Sequence, residues 1–442
     1  MTATEAARAR LRPYPAYQDS SVPWIGEIPV GWEAKRLKHV ARAVTARTET
    51  RPPELRYLGL EHLESGTGKL NDLPEPAQVE SMVALFETGD VLFGKLRPYL
   101  AKVHLAEGAG CSSTELIAFR PDPGLDARFL KFWLLSPGHI DAANMLTFGS
   151  KMPRVSPEQL GNLPLAYPPL AEQHAIAAFL DHETSRIDDL LREQAGLLED
   201  LALRRTVLVF QVATKGLGAP RLTDSGALWA GQVPEHWEFI TLRSVARLES
   251  GHTPSRSKLE YWVDCTVPWV SLSDVRRFRD GRLKYIEDTE EKISELGMAN
   301  SAARLLPSGT VILSRTASVG FSAILGTDMA TTQDFANWVC GPRLLPEYLL
   351  YLLRSMKHEF ARLMMGSTHQ TIYMPDIREL QVPLPPLDEQ RVIIDHLDTQ
   401  LAQIDALTGE VRASMALMRQ HRAALITAAV TGKIDVRNQV AP

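Results

Sequence analysis

The 442-residue chain has little of what marks a secreted, membrane-spanning or metal-dependent protein. Its three cysteines, Cys111, Cys265 and Cys340, stand far apart and form no CxxC pair. They read as buried reduced thiols, since a zinc site here would need several histidines as well. No apolar run reaches the roughly 18 residues a membrane span requires, and the opening MTATEAARARLRP lacks the apolar core of a signal peptide. A cytoplasmic protein with no membrane partner is expected. A basic excess is missing too: the net charge is -5, so any nucleic-acid contact must come from local basic patches or be helped by partners. GTGKL (Gly66–Leu70) lacks the first glycine of a phosphate loop and any Ser or Thr after Lys69, and reads as a turn. HETSRID (His182–Asp188) is no HExxH, because Arg186 holds the place of the second histidine. Nucleophile elbows and His-Cys clusters are likewise missing, and the 12 histidines are scattered.

What is present is a repeat. DSSVPWIGEIPVGWE (Asp19–Glu33) returns 205 residues later as DSGALWAGQVPEHWE (Asp224–Glu238). The match runs on through Leu37, Val40, Ala41 and Arg42 against Leu242, Val245, Ala246 and Arg247. PPLAEQ (Pro168–Gln173) returns as PPLDEQ (Pro385–Gln390), and ATKGL (Ala213–Leu217) as VTGKI (Val430–Ile434), both offset by 217 residues. The order is A, B, A, B, and each unit exceeds the roughly 20 to 50 residues of a solenoid repeat, so this is a duplicated domain pair.

The B segments read as long helices. Pro-Pro followed by Leu-x-Glu-Gln suits a helix start, where Glu172 and Glu389 meet the positive end of the helix dipole. The second copy then spaces Leu397, Ile404, Val411, Met418 and Leu425 by sevens, with Ile394, Leu401 and Met415 on the complementary seam. The first has Leu180, Ile187, Gln194, Leu201 and Leu208, with Leu191 and Leu198. Heptads held this long predict a coiled coil of helices about 40 residues, or about 60 Å, in length. Arg205 and Arg422 break the apolar seam at the same heptad position. Either they snorkel at a solvated point, or they fix register or contact a partner subunit.

The A segments are mixed. Short β-rich runs, DVLFGKL (Asp90–Leu96) and GTVILSR (Gly309–Arg315), precede apolar helical stretches, FLKFWLL (Phe129–Leu135) and YLLYLLR (Tyr348–Arg354). Their middles diverge while their edges are kept, as if one scaffold presented two different readers. Related by an approximate two-fold axis, the helices would pack antiparallel and hold one A domain at either end.

These four motifs in this order resemble the specificity subunit of type I restriction-modification enzymes, over nearly the whole chain from about Asp19 to Val436. The resemblance implies an α+β fold: two similar target recognition domains of mixed α/β structure, separated by two long helices in an antiparallel coiled coil. It implies a first recognition domain over 1–165 with an arm at 1–18, spacer helices over 166–215 and 383–437, a second recognition domain over 216–382 and a tail at 438–442. It implies a non-catalytic chain that binds double-stranded DNA at a bipartite site, each domain reading one half and the helices setting the gap. Two methyltransferase subunits and two restriction-translocase subunits are the implied partners, and S-adenosylmethionine, ATP and Mg are expected only in them. In accord, the Asn/Asp-Pro-Pro-aromatic tetrapeptide of an adenine methyltransferase is missing: YPPL (Tyr167–Leu170) and LPPL (Leu384–Leu387) lack both its polar and its aromatic residue. The competing reading is a coiled-coil adaptor that binds proteins instead of DNA, which leaves two divergent copies around one helical scaffold unexplained.

Candidate DNA contacts follow from basic and hydroxyl residues at strand ends. GKLRPYLAK (Gly94–Lys102) offers Lys95, Arg97, Tyr99 and Lys102, and SRTASVG (Ser314–Gly320) offers Arg315, Thr316 and Ser318 at the matching place. Such residues suit phosphates, and Arg97 or Arg315 could pair with a guanine edge. Before each long helix, GSKMPRVS (Gly149–Ser156) brings Lys151 and Arg154, and GSTHQTIYMP (Gly366–Pro375) brings Thr368, His369 and Gln370. Gln370 has the donor and acceptor that adenine takes in a bidentate pair. VRRFRDGRLK (Val275–Lys284), with Arg276, Arg277, Arg279 and Arg282, is the most basic run and ranks third, because a charge run also suits a solvated face. At each of these patches a structural turn or strand edge is the competing reading.

Overall fold

Each mixed domain is closed by a ribbon built from the repeated edges. The computed structural model describes residues 12–76, 81–364, 370–437 and 439. In it Glu33–Arg36 pairs antiparallel with Pro164–Tyr167, Glu33 opposite Tyr167. The second copy keeps the register: Glu238–Thr241 pairs with Gln381–Leu384, Glu238 opposite Leu384. Entrance and exit of the domain are thus tied together just before the long helix begins.

Between the ribbons the sheets differ. The first domain has two four-stranded sheets, one ordered Ala41–Ala43, Leu116–Pro121, Val91–Gly94, Val103–Leu105 and the other Arg47–Thr48, Val83–Phe86, Gly110–Ser113, Arg56–Leu58. The second domain has a five-stranded sheet ordered Ala246–Ser250, Phe335–Cys340, Val311–Ser314, Ser322–Leu325, Tyr285–Ile286, and a three-stranded one. The apolar runs Val91–Phe93 and Val311–Leu313 are buried throughout, which is why they show no alternation in the sequence. Against them pack helices Ala127–Leu135 and Pro346–Ser355, both buried on most sides through residues such as Phe129, Trp133, Tyr348 and Leu352.

The long helices run over Leu170–Lys215 and Leu387–Val430. Compactness divides the chain inside them: one unit holds the residues up to Gly196 with those from Val411, the other Leu197–Glu410. Each unit therefore contains one mixed domain and half of each helix, because the helix halves bury their apolar faces against each other and against that domain. Within the first unit the halves run antiparallel, Gln194 donating to the Ser414 hydroxyl at 3.2 Å and Arg422 to Asp188 at 2.8 Å. Within the second, Arg205 meets Asp405 at 2.9 Å while Val209 and Val212 share an apolar cluster with Leu397 and Leu401. Along the predicted seam Leu180, Ile187, Leu201, Leu397, Ile404, Val411 and Leu425 are buried, and Leu208 and Met418 half-buried.

The two seam arginines make equivalent clamps. Arg422, almost fully buried, also donates to the carbonyl oxygens of Gly66 and Thr67 at 2.7 and 3.0 Å, and Lys69 Nζ adds a 2.9 Å contact to Asp188. Arg205 donates to the Gly281 carbonyl at 2.6 Å. Gly66 and Gly281 sit at φ +77° and +73°, a conformation glycine takes without strain. GTGKL and DGRLK are thus turn tips held against the helices by a buried or half-buried guanidinium. Neither a solvated point nor a partner contact is needed to account for Arg205 and Arg422.

The repeated entrance and helix start close each unit. Trp32 is buried, and its indole N–H donates to Glu172 at 3.1 Å, beside a 2.6 Å bond from the Tyr14 hydroxyl to the same oxygen. In the second unit His236 takes the place of those donors, 3.0 Å from Glu389, and Trp237 packs on Gly216 at the end of the first long helix. Gln173 and Gln390 are fully buried. Gln173 accepts from the Asp126 N–H at 2.8 Å and donates to the carbonyls of Gly124 and Pro168. Gln390 accepts from the Leu345 N–H at 2.9 Å and donates to those of Arg343 and Pro385. Each glutamine satisfies the loop that leads into the buried domain helix, which is a physical reason for keeping Leu-x-Glu-Gln in both copies.

Candidate nucleic-acid interface

Two loops that lie more than fifty residues apart in the chain meet in each unit. In the first, the strand Val91–Gly94 runs into Lys95, Leu96 and Arg97, and the chain turns through the short helix Pro98–Leu100. The Lys95 carbonyl accepts from Val155 N–H at 3.1 Å, and Arg97 N–H donates to the Pro153 carbonyl at 2.8 Å. In the second, the strand Val311–Ser314 runs into Arg315, whose carbonyl accepts from Ile372 N–H at 2.9 Å, and Ala317 N–H donates to the Gln370 carbonyl at 2.9 Å. Arg97 and Ala317 both lie in the left-handed region, at φ 52° and 57°. The same backbone turn is built twice, with different side chains on it.

In the first unit Arg97 and Lys151 are exposed, and Tyr99 is 52% exposed. The other predicted residues are engaged within the domain. Arg154 pairs with Glu115 at 3.1 Å, Lys95 approaches the same carboxylate at 4.0 Å, and Lys102 donates to the Leu60 carbonyl at 2.5 Å. Burial pushes the Lys102 ammonium below its ordinary range, although Glu61 opposes the shift. Phe148 and Arg154 exchange backbone hydrogen bonds and form a hairpin whose turn bears Lys151, leaving Phe148 60% and Met152 46% exposed. Sequence reasoning passed over Glu115, Phe148 and Met152. The spacing of basic residues points to none of them.

In the second unit Arg315 is half-buried and donates to the Gln333 and Ile372 carbonyls at 3.0 and 3.4 Å, bracing the turn. Thr316 and Ser318 are half-buried and Gln370 is exposed, while Thr368 and His369 lie outside the described residues. Of the basic run, Arg279 joins this edge: it donates to the Ser318 hydroxyl at 3.0 Å and its guanidinium lies 5.3 Å from the Phe321 ring centre. Arg276 pairs with Glu290, and Arg277 lies 3.5 Å from Asp274 and donates to the Asp288 carbonyl. Arg282 is 3.3 Å from Asp405.

Burial shifts the protonation of two side chains in these domains. Cys340 is half-buried and burial pushes its thiol up to about 12, and burial alone drives the His139 imidazole down to about 3. Among the described residues the edges offer exposed cations, hydroxyls, an amide and an aromatic ring, the means of hydrogen bonding and stacking.

The sequence pattern of the type I restriction modification DNA specificity domain matches residues 29–196 and again 234–413. The chain belongs to this family. Both matches open in the repeated entrance and run into the long helices. The specificity chain is 28% identical over 157 residues to the type I restriction enzyme MjaIX specificity subunit of Methanocaldococcus jannaschii, covering 35% of each. It is 31% identical over 152 residues to the EcoDI specificity subunit of Escherichia coli, covering 34% of each. The matched stretches thus span about a third of the length of these curated relatives. A solved chain from work on complex assembly and conformational transition of the type I R-M system superposes with a TM-score of 0.70 at 23% identity, covering 91% of this chain and 98% of that one. The fold of two mixed domains with two long antiparallel helices is therefore that of specificity subunits, which are the non-catalytic recognition chains of type I systems.

Proposed function

We propose that this specificity chain reads a bipartite DNA target, one half with each mixed domain, and directs methylation and restriction by partner subunits. The observation that carries this reading is the pair of equivalent turns, at Lys95–Arg97 with Pro153–Val155 and at Arg315–Ala317 with Gln370–Ile372, which carry different side chains on one backbone frame. Two frames of one kind with two side-chain sets suit two half-sites of different sequence. Residues 1–165 and 216–382 act as the recognition domains, and the long helices, expected over 166–215 and 383–437 and found over Leu170–Lys215 and Leu387–Val430, set the gap between half-sites. Double-stranded DNA, two methyltransferase subunits and two restriction-translocase subunits are the partners. S-adenosylmethionine, ATP and Mg belong to those partners.

Co-expression with the cognate methyltransferase subunit, followed by single-molecule sequencing of the host DNA, tests the proposal. Methyladenine in one bipartite motif is the expected result. Inserting one heptad into each long helix should then change the gap and leave both half-sites as they were. An active partner that methylates no bipartite motif would overturn the proposal.

A further inference from the structure

A groove of about 940 Å³ runs along the outer strand Ala246–Ser250 of the second unit, and five arginines line it: Arg243, Arg247, Arg304, Arg343 and Arg378. Two carboxylates answer them. Glu249, buried, is shared by Arg247 at 2.9 Å and Arg304 at 2.7 Å, and Glu238 pairs with Arg343. Arg243 and Arg378 are exposed and have no ion pair or side-chain hydrogen bond among the described residues. A chain of net charge -5 thus concentrates positive charge in one groove, which costs self-repulsion unless an anion lies there.

One end of the groove, at Ser250, lies near the reading edge. Ser250 pairs with Ala336, and the neighbouring Phe335 pairs with Ser314, the residue before Arg315. The helix Met374–Arg378, which supplies Met374 and Arg378 to the groove, begins just after Gln370–Ile372. The first unit has no counterpart of the same charge. At the matching positions Lys38 and Arg42 stand for Arg243 and Arg247, but Gly124, whose carbonyl accepts from Gln173 as that of Arg343 accepts from Gln390, stands for Arg343, and Gly161 for Arg378.

We propose that this groove binds the phosphate backbone of DNA beyond the half-site read by the second unit, an inference that rests on the DNA-reading function above. Guanidinium groups bind phosphate oxygens in bidentate fashion, and such contacts position a duplex without reading its bases. The groove anchors one flank of the target and leaves the other flank to the first unit, where fewer of the matching positions are basic.

The test uses the chain assembled with its methyltransferase subunit, and the paired variant Arg243→Ala with Arg378→Ala. Binding is measured on duplexes with and without the methylated motif over a range of salt. Loss of two phosphate contacts should lower the slope of log affinity against log salt by about 1.8, with the same fold-loss on both duplexes and an unchanged motif. The pair Arg243→Lys with Arg378→Lys keeps both charges and should keep the slope, which separates charge loss from misfolding. A wild-type slope for the alanine pair would overturn the proposal. So would loss of the methyltransferase subunit at a wild-type slope, which would make the groove a seat for an acidic protein surface. If the unmutated assembly showed no motif preference, the bipartite reading would fall while the slope on plain duplex still tested the groove.

Discussion

The edge of the first unit presents Arg97, Tyr99, Phe148, Lys151 and Met152, an aromatic and apolar lip between two cations, whereas that of the second presents Thr316, Ser318, Gln370 and Arg279. Beneath both lies one frame: the ribbon in the same register, the glutamine at the helix start, the left-handed turn and the arginine clamp. At the turns themselves the divergence lies in the side chains rather than in the backbone. Residues that satisfy buried backbone groups cannot vary without leaving those groups unpaired, while exposed residues on a braced turn can.

The comparison is tested most severely at the clamps. Arg422 and Asp188 are each about 7% exposed, whereas Arg205 and Asp405 are 18% and 29% exposed. Replacing Arg422 by Met leaves Asp188 buried with Lys69 as its remaining cation, and should destabilise the first unit by about 3 kcal/mol or more. Arg205→Met should cost the second unit less, because Asp405 is more hydrated and keeps Arg282. Denaturant unfolding of the two variants measures the difference, and equal losses would mean that burial does not set the strength of the clamp.

Smaller effects are expected where the frame is the same in both units. Gln173→Ala and Gln390→Ala each remove an acceptor for one backbone N–H and a donor for two carbonyls, at a cost of about 1 to 3 kcal/mol. The two losses should agree closely, and a disparity in melting temperature would show that the helix start serves one unit more than the other.

The difference that vanishes at neutral pH is the acid response of one buried histidine. His139 is fully buried with neither ring nitrogen bonded among the described residues, whereas the histidine of the matching helix in the second unit, His358 in Lys357–Leu363, is exposed. Burial lowers the folded-state value of His139 to about 3, below the ordinary value of 6.5. The unfolded chain then binds the proton more readily, so this contribution to stability is complete above pH 6.5 and is lost as pH falls toward 3, by about 1.4 kcal/mol per pH unit at most. His139→Met should flatten the loss of stability between pH 6.5 and 5 measured by calorimetry. If acid sensitivity is unchanged, other groups carry it.

Much of the architecture was legible because its signals are periodic or repeated. The heptads from Leu180 to Leu208 and from Leu397 to Leu425 give the helices, and the doubled entrances and PPLxEQ motifs give the order of segments. The candidate interface was legible only in part. Basic and hydroxyl residues could be picked out along the chain, but not the carboxylate that each would meet. Thus Lys95 and Arg154 share Glu115, Lys102 is drawn into a carbonyl, and Arg97 and Lys151 remain open to solvent. Phe148 and Met152 were missed because an exposed apolar residue looks no different in sequence from a buried one.

The sequence by itself determined that this protein is a duplicated pair of mixed domains and long helices, because periodicity and repetition are properties of a single line of residues. Tertiary structure alone decided where each compact unit ends, what the seam arginines hold, and which cations stay free. Those outcomes depend on pairing between residues as distant as Asp188 and Arg422, where burial and hydrogen-bond partners, not spacing, set the energy.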